Sequence, residues 1–169
     1  MTTVQPETNL CPSAAIGAYG SQSLDAKEAN TLPKAIQSAV LTIDESTLRR
    51  VIRFDAGLAF EPKTLLAVLA YCYAREVYSS TSVEALLRRD VIFRELCNDE
   101  IPGARLMRRF RCENRESIRL CLLAGLRFLV QRKVEVGVVT KLNEGYLAEE
   151  ARRRIIMAMF IDNMELEGD

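Results

Sequence analysis

KTLLAVLAYCYAREV, residues 63–77, is the stretch on which the fold turns. Leu65, Leu66, Val68, Leu69, Tyr71, Cys72 and Tyr73 point in every direction around a helix that advances 100° per residue. A helix with no solvent face belongs in the middle of a bundle. Glu61-Pro62 opens it, because the first helical turn tolerates proline. Ser-Ser-Thr-Ser, residues 79–82, turns the chain afterwards, with Ser82 as the expected N-cap and Val83, Leu86 and Leu87 facing inward on the next helix.

Upstream of this centre, a helix is expected from about Thr31, with Pro33 early and Ile36 and Val40 at helical spacing. Asp44 is placed to cap a second one, with Leu48, Val51 and Ile52 as its stripe and Gly57 as its close. Residues 1–30 are rich in Ser, Thr, Gly and Ala without a lasting period, and a flexible tail is expected there.

Downstream, a short segment 90–96 (DVIFREL) is expected to bury Val91, Ile92, Phe93 and Leu96. A polar loop, 98–103, leads to the helix ARLMRRFRCEN, residues 104–114. A break at Glu113 or Asn114 precedes a long apolar helix to about Arg132. VEVGVV, residues 134–139, is the one strand-like run, and it is too short to make a sheet alone. A last helix runs from about Asn143 to Met164, with Glu149–Arg153 and Glu150–Arg154 at the favourable i,i+4 order. The expectation is an all-α protein: a compact multi-helix bundle over 31–169 with a helix-turn-helix-like portion, and the tail 1–30.

The 169 residues contain no histidine, which removes the commonest metal ligand and general base together. The five cysteines are odd in number and form no CxxC pair, so reduced thiols in the core are expected rather than a disulfide framework or zinc site. The eight glycines form no phosphate loop. No catalytic residues, no metal, no cofactor and no enzymatic activity are therefore expected. The N-terminus lacks a signal pattern, and Leu120–Val130 is too short and too charged for a membrane span. A cytoplasmic protein without membrane partners is expected.

The neutral total charge hides a gradient. Residues 85–133 hold twelve Lys+Arg against six Asp+Glu, a net of +6, and the remainder carries −6. Eleven of those twelve cations are arginine, the side chain whose planar fork suits phosphate. On the 104–114 helix, Arg105, Arg108 and Arg109 fall on one side at i, i+3 and i+4, opposite Leu106, Met107 and Phe110.

Several motifs recur in order. Pro62 is followed by LLAVLAYCYA (65–74), Val-Tyr-Ser-Ser (77–80) and Val83-Glu84. Then come Arg89-Asp90-Val91, Phe93-Arg94-Glu95-Leu96, Pro102 and Arg109-Phe110-Arg111. Over Gly57 to about Val130 this resembles the helical N-terminal domain of bacterial insertion-sequence transposases of the acidic-triad nuclease type. The chain departs from that pattern in three places. Thr81 stands where the family usually has arginine, and Gly103-Ala104-Arg105 replaces an Asp/Asn and a capping Ser/Thr. The family's Asp-Gly-Thr-Lys strand gives way to VEVGVVTKLNEGYLAEEARRR. The resemblance thus implies a missing nuclease domain, and Glu149-Glu150-Ala151-Arg152, similar to segments beyond the first aspartate in relatives, hints at an internal deletion.

The resemblance implies engagement of duplex DNA at transposon ends. Arg105, Arg108, Arg109 and Arg111 would face phosphates or a major groove, and Arg88, Arg89 and Arg115 the flanking backbone. It also implies association, as a homodimer or in mixed assembly with a full-length transposase. Three alternatives stand beside it: a helical protein-interaction or dimerisation module, a decayed transposase remnant with no DNA role and, as a residual, a metal-free enzyme of an unfamiliar kind.

Overall fold

Residues 65–74 form the buried axis of the molecule. Every side chain from Leu65 to Ala74 is buried, as an all-round apolar helix requires. The structure, a computed structural model, describes residues 31–49, 60–97 and 101–168. Their helices are α1 (Leu32–Thr42), a 3-10 turn (Glu45–Thr47), α2 (Pro62–Ala74), α3 (Ser80–Arg89) and α4 (Val91–Leu96). They continue with α5 (Ala104–Glu113), α6 (Arg115–Glu135) and α7 (Glu144–Glu167). The fold is all-α and compact. The expected tail, 1–30, and the expected stripe at Val51 and Ile52 with its close at Gly57, lie outside the described residues.

α1 and α6 pack on α2 and on each other. α1 comes close to α6 at Gly125, where an added Cβ would stand 3.0 Å from Cγ1 and Cδ1 of Ile36. α6 and α7 form an antiparallel pair. Arg127, past the middle of α6, makes two bonds of 2.8 and 2.7 Å to Glu144 at the start of α7. Arg115 and Arg119, at the start of α6, share a groove with Arg152 and Ile155 of α7.

The strand-like run 134–139 is not a strand. Val134 and Glu135 end α6, and Gly137 takes the left-handed conformation at φ 74°. The Gly137 N–H then donates to Val134 O at 3.0 Å and the Val138 N–H to Lys133 O at 2.9 Å. This pairing of bonds closes helices around a C′ glycine, so the valines mark a helix end. α2 closes in the same way without a glycine: Glu76 sits at φ 63°, and the Val77 N–H reaches Cys72 O at 2.9 Å. Arg154 of α7 completes that end by donating to Tyr73 O and Ala74 O at 2.9 Å each.

Other expectations shift by a turn or a partner. Ser79, not Ser82, caps α3, accepting from the Ser82 N–H at 3.2 Å. Asp44 caps only the 3-10 turn. Val91, expected inside, is 58% exposed, and Cys112 is an exposed free thiol, whereas Cys72, Cys97 and Cys121 are buried. Arg153 bonds Glu150 rather than Glu149, while the Glu150–Arg154 pair forms at 2.7 Å. Asn114 does break the chain between α5 and α6. Its buried amide clamps an upstream segment, accepting from Arg49 N at 2.8 Å and donating to Arg49 O at 3.0 Å.

Candidate nucleic-acid interface

α5 is strongly two-sided. Met107 and Phe110 are fully buried, while Arg105 and Arg109 are exposed and Arg108 is half-buried. The three arginines border one cleft of about 450 Å³ between α5 and the C-terminal half of α7, whose other wall is Met159, Asn163 and Leu166. Among the described residues neither Arg105 nor Arg108 makes an ion pair; the Arg109 Nε donates to Glu113 at 3.3 Å.

The start of α5 lacks a cap of its own, because Gly103 has no side chain to offer. The cap comes from α3: the Ala104 N–H donates to the Glu84 carboxylate at 2.7 Å. Glu84 also accepts from Arg88 at 2.8 Å. Arg88 and the Ala104 N–H together hold its carboxyl below the ordinary glutamate value, with the charge of Arg108 contributing. A carboxylate at a helix N-terminus also meets the positive end of the helix dipole. Glu84 thereby fastens α5 to α3 and gathers Arg88 and Arg108 around one anion. Arg89 is exposed at the end of α3.

Arg111, expected among the phosphate contacts, borders the same cleft but is buried, with its guanidinium turned into the protein. It is 2% exposed and pairs with Asp162 of α7 at 2.6 Å. Its Nη1 also donates to the Tyr73 hydroxyl at 2.9 Å. Asp162 in turn accepts from the Ser80 N–H at 2.7 Å and the Ser80 hydroxyl at 2.6 Å. Burial opposes the Arg111 charge, but Tyr73 and Asp162 outweigh it and hold the guanidinium above its ordinary value. Burial pushes the Tyr73 hydroxyl up to about 12. The Tyr-x-Tyr-Ala, serine-turn and Arg-Phe-Arg motifs thus meet in one buried network. The helical wheel already carried the signal: Arg111 follows Met107 by four residues and Phe110 by one, which puts it on the apolar side.

Arg115 is exposed at the start of α6 and lines a second groove with Arg119, Arg152 and Ile156. Met159 borders both grooves, so the cations of α5 continue into those of α6 and α7. Sequence reasoning missed Arg119 and Arg152, because only the antiparallel packing of α6 and α7 brings them there. Arg119 is forked onto Glu116 and Arg152 pairs with Glu149 at 3.5 Å, so Arg115 is the arginine of this groove that makes no ion pair among the described residues.

Among the described residues no three His, Cys, Asp or Glu side chains are grouped to hold a metal ion. No described helix is long and apolar enough to cross a membrane.

Neither a curated protein nor a solved structure matches the chain. Residues 31–113, 83 of the 169, match the family model described as Transposase domain (DUF772). That segment runs from α1 to the end of α5. It includes the arginine-bearing helix and leaves α6 and α7 outside. Residues 31–113 therefore carry a transposase-like domain.

Proposed function

We propose that the chain is a non-catalytic, transposase-like DNA-binding protein that engages duplex DNA, at transposon ends, through the arginine face of α5. The observation that carries this reading is that Arg105, Arg108 and Arg109 border one cleft on a helix whose opposite side is locked into the core. A helix held so firmly presents its cations without further ordering, and arginine forks suit phosphate oxygens. Arg88, tied to the α5 start through Glu84, Arg115 just past the α5 end, and Arg89, exposed at the end of α3, contact the neighbouring DNA backbone. α3 and α5, joined by Glu84, serve as the helix-turn-helix-like pair.

Binding without catalysis fits the described carboxylates that have clear structural work. Asp162 neutralises Arg111, Asp44 and Glu84 are caps, and Glu150 holds two arginines. The protein acts in the cytoplasm by occupying ends, alone or in mixed assembly with a full-length transposase.

The test is a mobility shift with duplex DNA at low ionic strength. The wild-type protein shifts the duplex, and Arg108→Ala with Arg109→Ala abolishes the shift while leaving helicity by circular dichroism unchanged. Absence of any shift by the wild-type protein at low salt overturns the reading.

A further inference from the structure

α7 buries one side, Leu147, Ala151, Ile155 and Ala158, within the bundle. Its other side leaves large apolar groups in water. Ile156 is 59%, Phe160 60% and Met164 56% exposed, with Met157 beside them at 36%. They repeat at three- and four-residue intervals, so they form one stripe along a surface that an ordinary amphipathic helix fills with polar groups. Contiguous apolar surface of this kind marks a place of association.

The charges on the same stripe say what fits it. Arg152 and Arg153 lie before the apolar run and Glu167 after it, all exposed. Suppose a second copy of α7 is laid antiparallel with Phe160 facing Phe160. Arg153, seven residues before the centre, then faces Glu167 of the second copy, seven residues after it. Ile156 faces Met164, and Met157 faces Asn163. Seven residues are two helical turns, so these positions share a side. The opposite charges meet twice, as a two-fold contact requires. A parallel pairing would instead set arginine on arginine and glutamate on glutamate, which disfavours it. Arg153 is held by Glu150 at 2.8 Å on one edge, yet its side chain is 62% exposed and open to a second carboxylate.

We propose that the chain forms a two-fold dimer through α7, antiparallel and centred on Phe160. The stripe lies beyond the transposase-like segment, so this association is a property of the C-terminal helix and does not depend on DNA. Its partner is a second copy of this chain.

Sedimentation equilibrium of the full chain without nucleic acid tests it. A concentration-dependent dimer is expected. Phe160→Asp, on an exposed side chain, raises the dissociation constant about thirtyfold or more, the scale of an interface hot spot, with helicity unchanged. Charge reversal tests the register: Arg153→Glu and Glu167→Arg each weaken self-association, and an equimolar mixture of the two variants restores the dimer. A wild-type chain that stays monomeric overturns the proposal, whatever else covers the stripe. So does a dimer indifferent to Phe160→Asp, or a mixture no tighter than its components. These outcomes leave the DNA reading untouched, because no DNA is present.

Discussion

Arg111 and Asp162 illustrate how one buried ion pair governs the rest. Each is almost fully removed from water, so each depends on the other and on the Tyr73 and Ser80 groups around them. Removing one member of such a pair leaves an uncompensated charge, at a cost of about 3–5 kcal/mol. Asp162→Ala should therefore destabilise the protein by that order in urea unfolding. Adding Arg111→Met should recover much of the loss, since an apolar pair needs no neutralisation. A wild-type-like midpoint for Asp162→Ala would show that the network carries no stability. At this scale the sequence was easiest to misread: an arginine in an arginine-rich helix looks like surface, and its carboxylate stands fifty-one positions downstream.

Helix ends decide the next level. Gly137 closes α6 at φ 74°, and a Cβ added there meets nothing within 4 Å. Gly137→Ala therefore isolates the backbone term, and a loss of about 1 kcal/mol in thermal or urea unfolding is expected. No loss would mean that the helix end does not need the left-handed residue. The central helix 63–74 was legible because its apolar residues leave no side for water, and the break at Asn114 because the apolar period lapses there. The run VEVGVV misled because β-branched residues are common in strands, whereas the single glycine inside it was the better guide. Ser79 displaced Ser82 as cap because both stand in one serine cluster, and only backbone conformation separates them. The cap of α5 could not be read at all, since Glu84 reaches it from a helix twenty residues earlier.

For the molecule as a whole, α7 is the element that ties the transposase-like segment together from outside. Asp162 holds α5, Arg154 closes α2, and Glu150 anchors Arg153 and Arg154. The Arg153 and Arg154 bonds, working against burial, hold the Glu150 carboxyl down to about 2, against an ordinary 4.5. Between those values the unfolded chain binds the proton that the folded one refuses. Stability from this group is thus complete above about pH 4.5 and lost as pH falls towards 2. Glu150→Gln should flatten acid unfolding over that window, and an unchanged pH profile would remove Glu150 from the account.

The arginine face of α5 as a phosphate surface is the central claim, and its salt response is the most direct measurement. The association constant for a duplex should fall log-linearly with salt, each phosphate contact contributing about −0.9 to the slope. Replacing Arg105, Arg108 and Arg109 with alanine should make that slope shallower by roughly 2.7. An identical slope in the two proteins, or no measurable association of the wild-type chain at low salt, would contradict it.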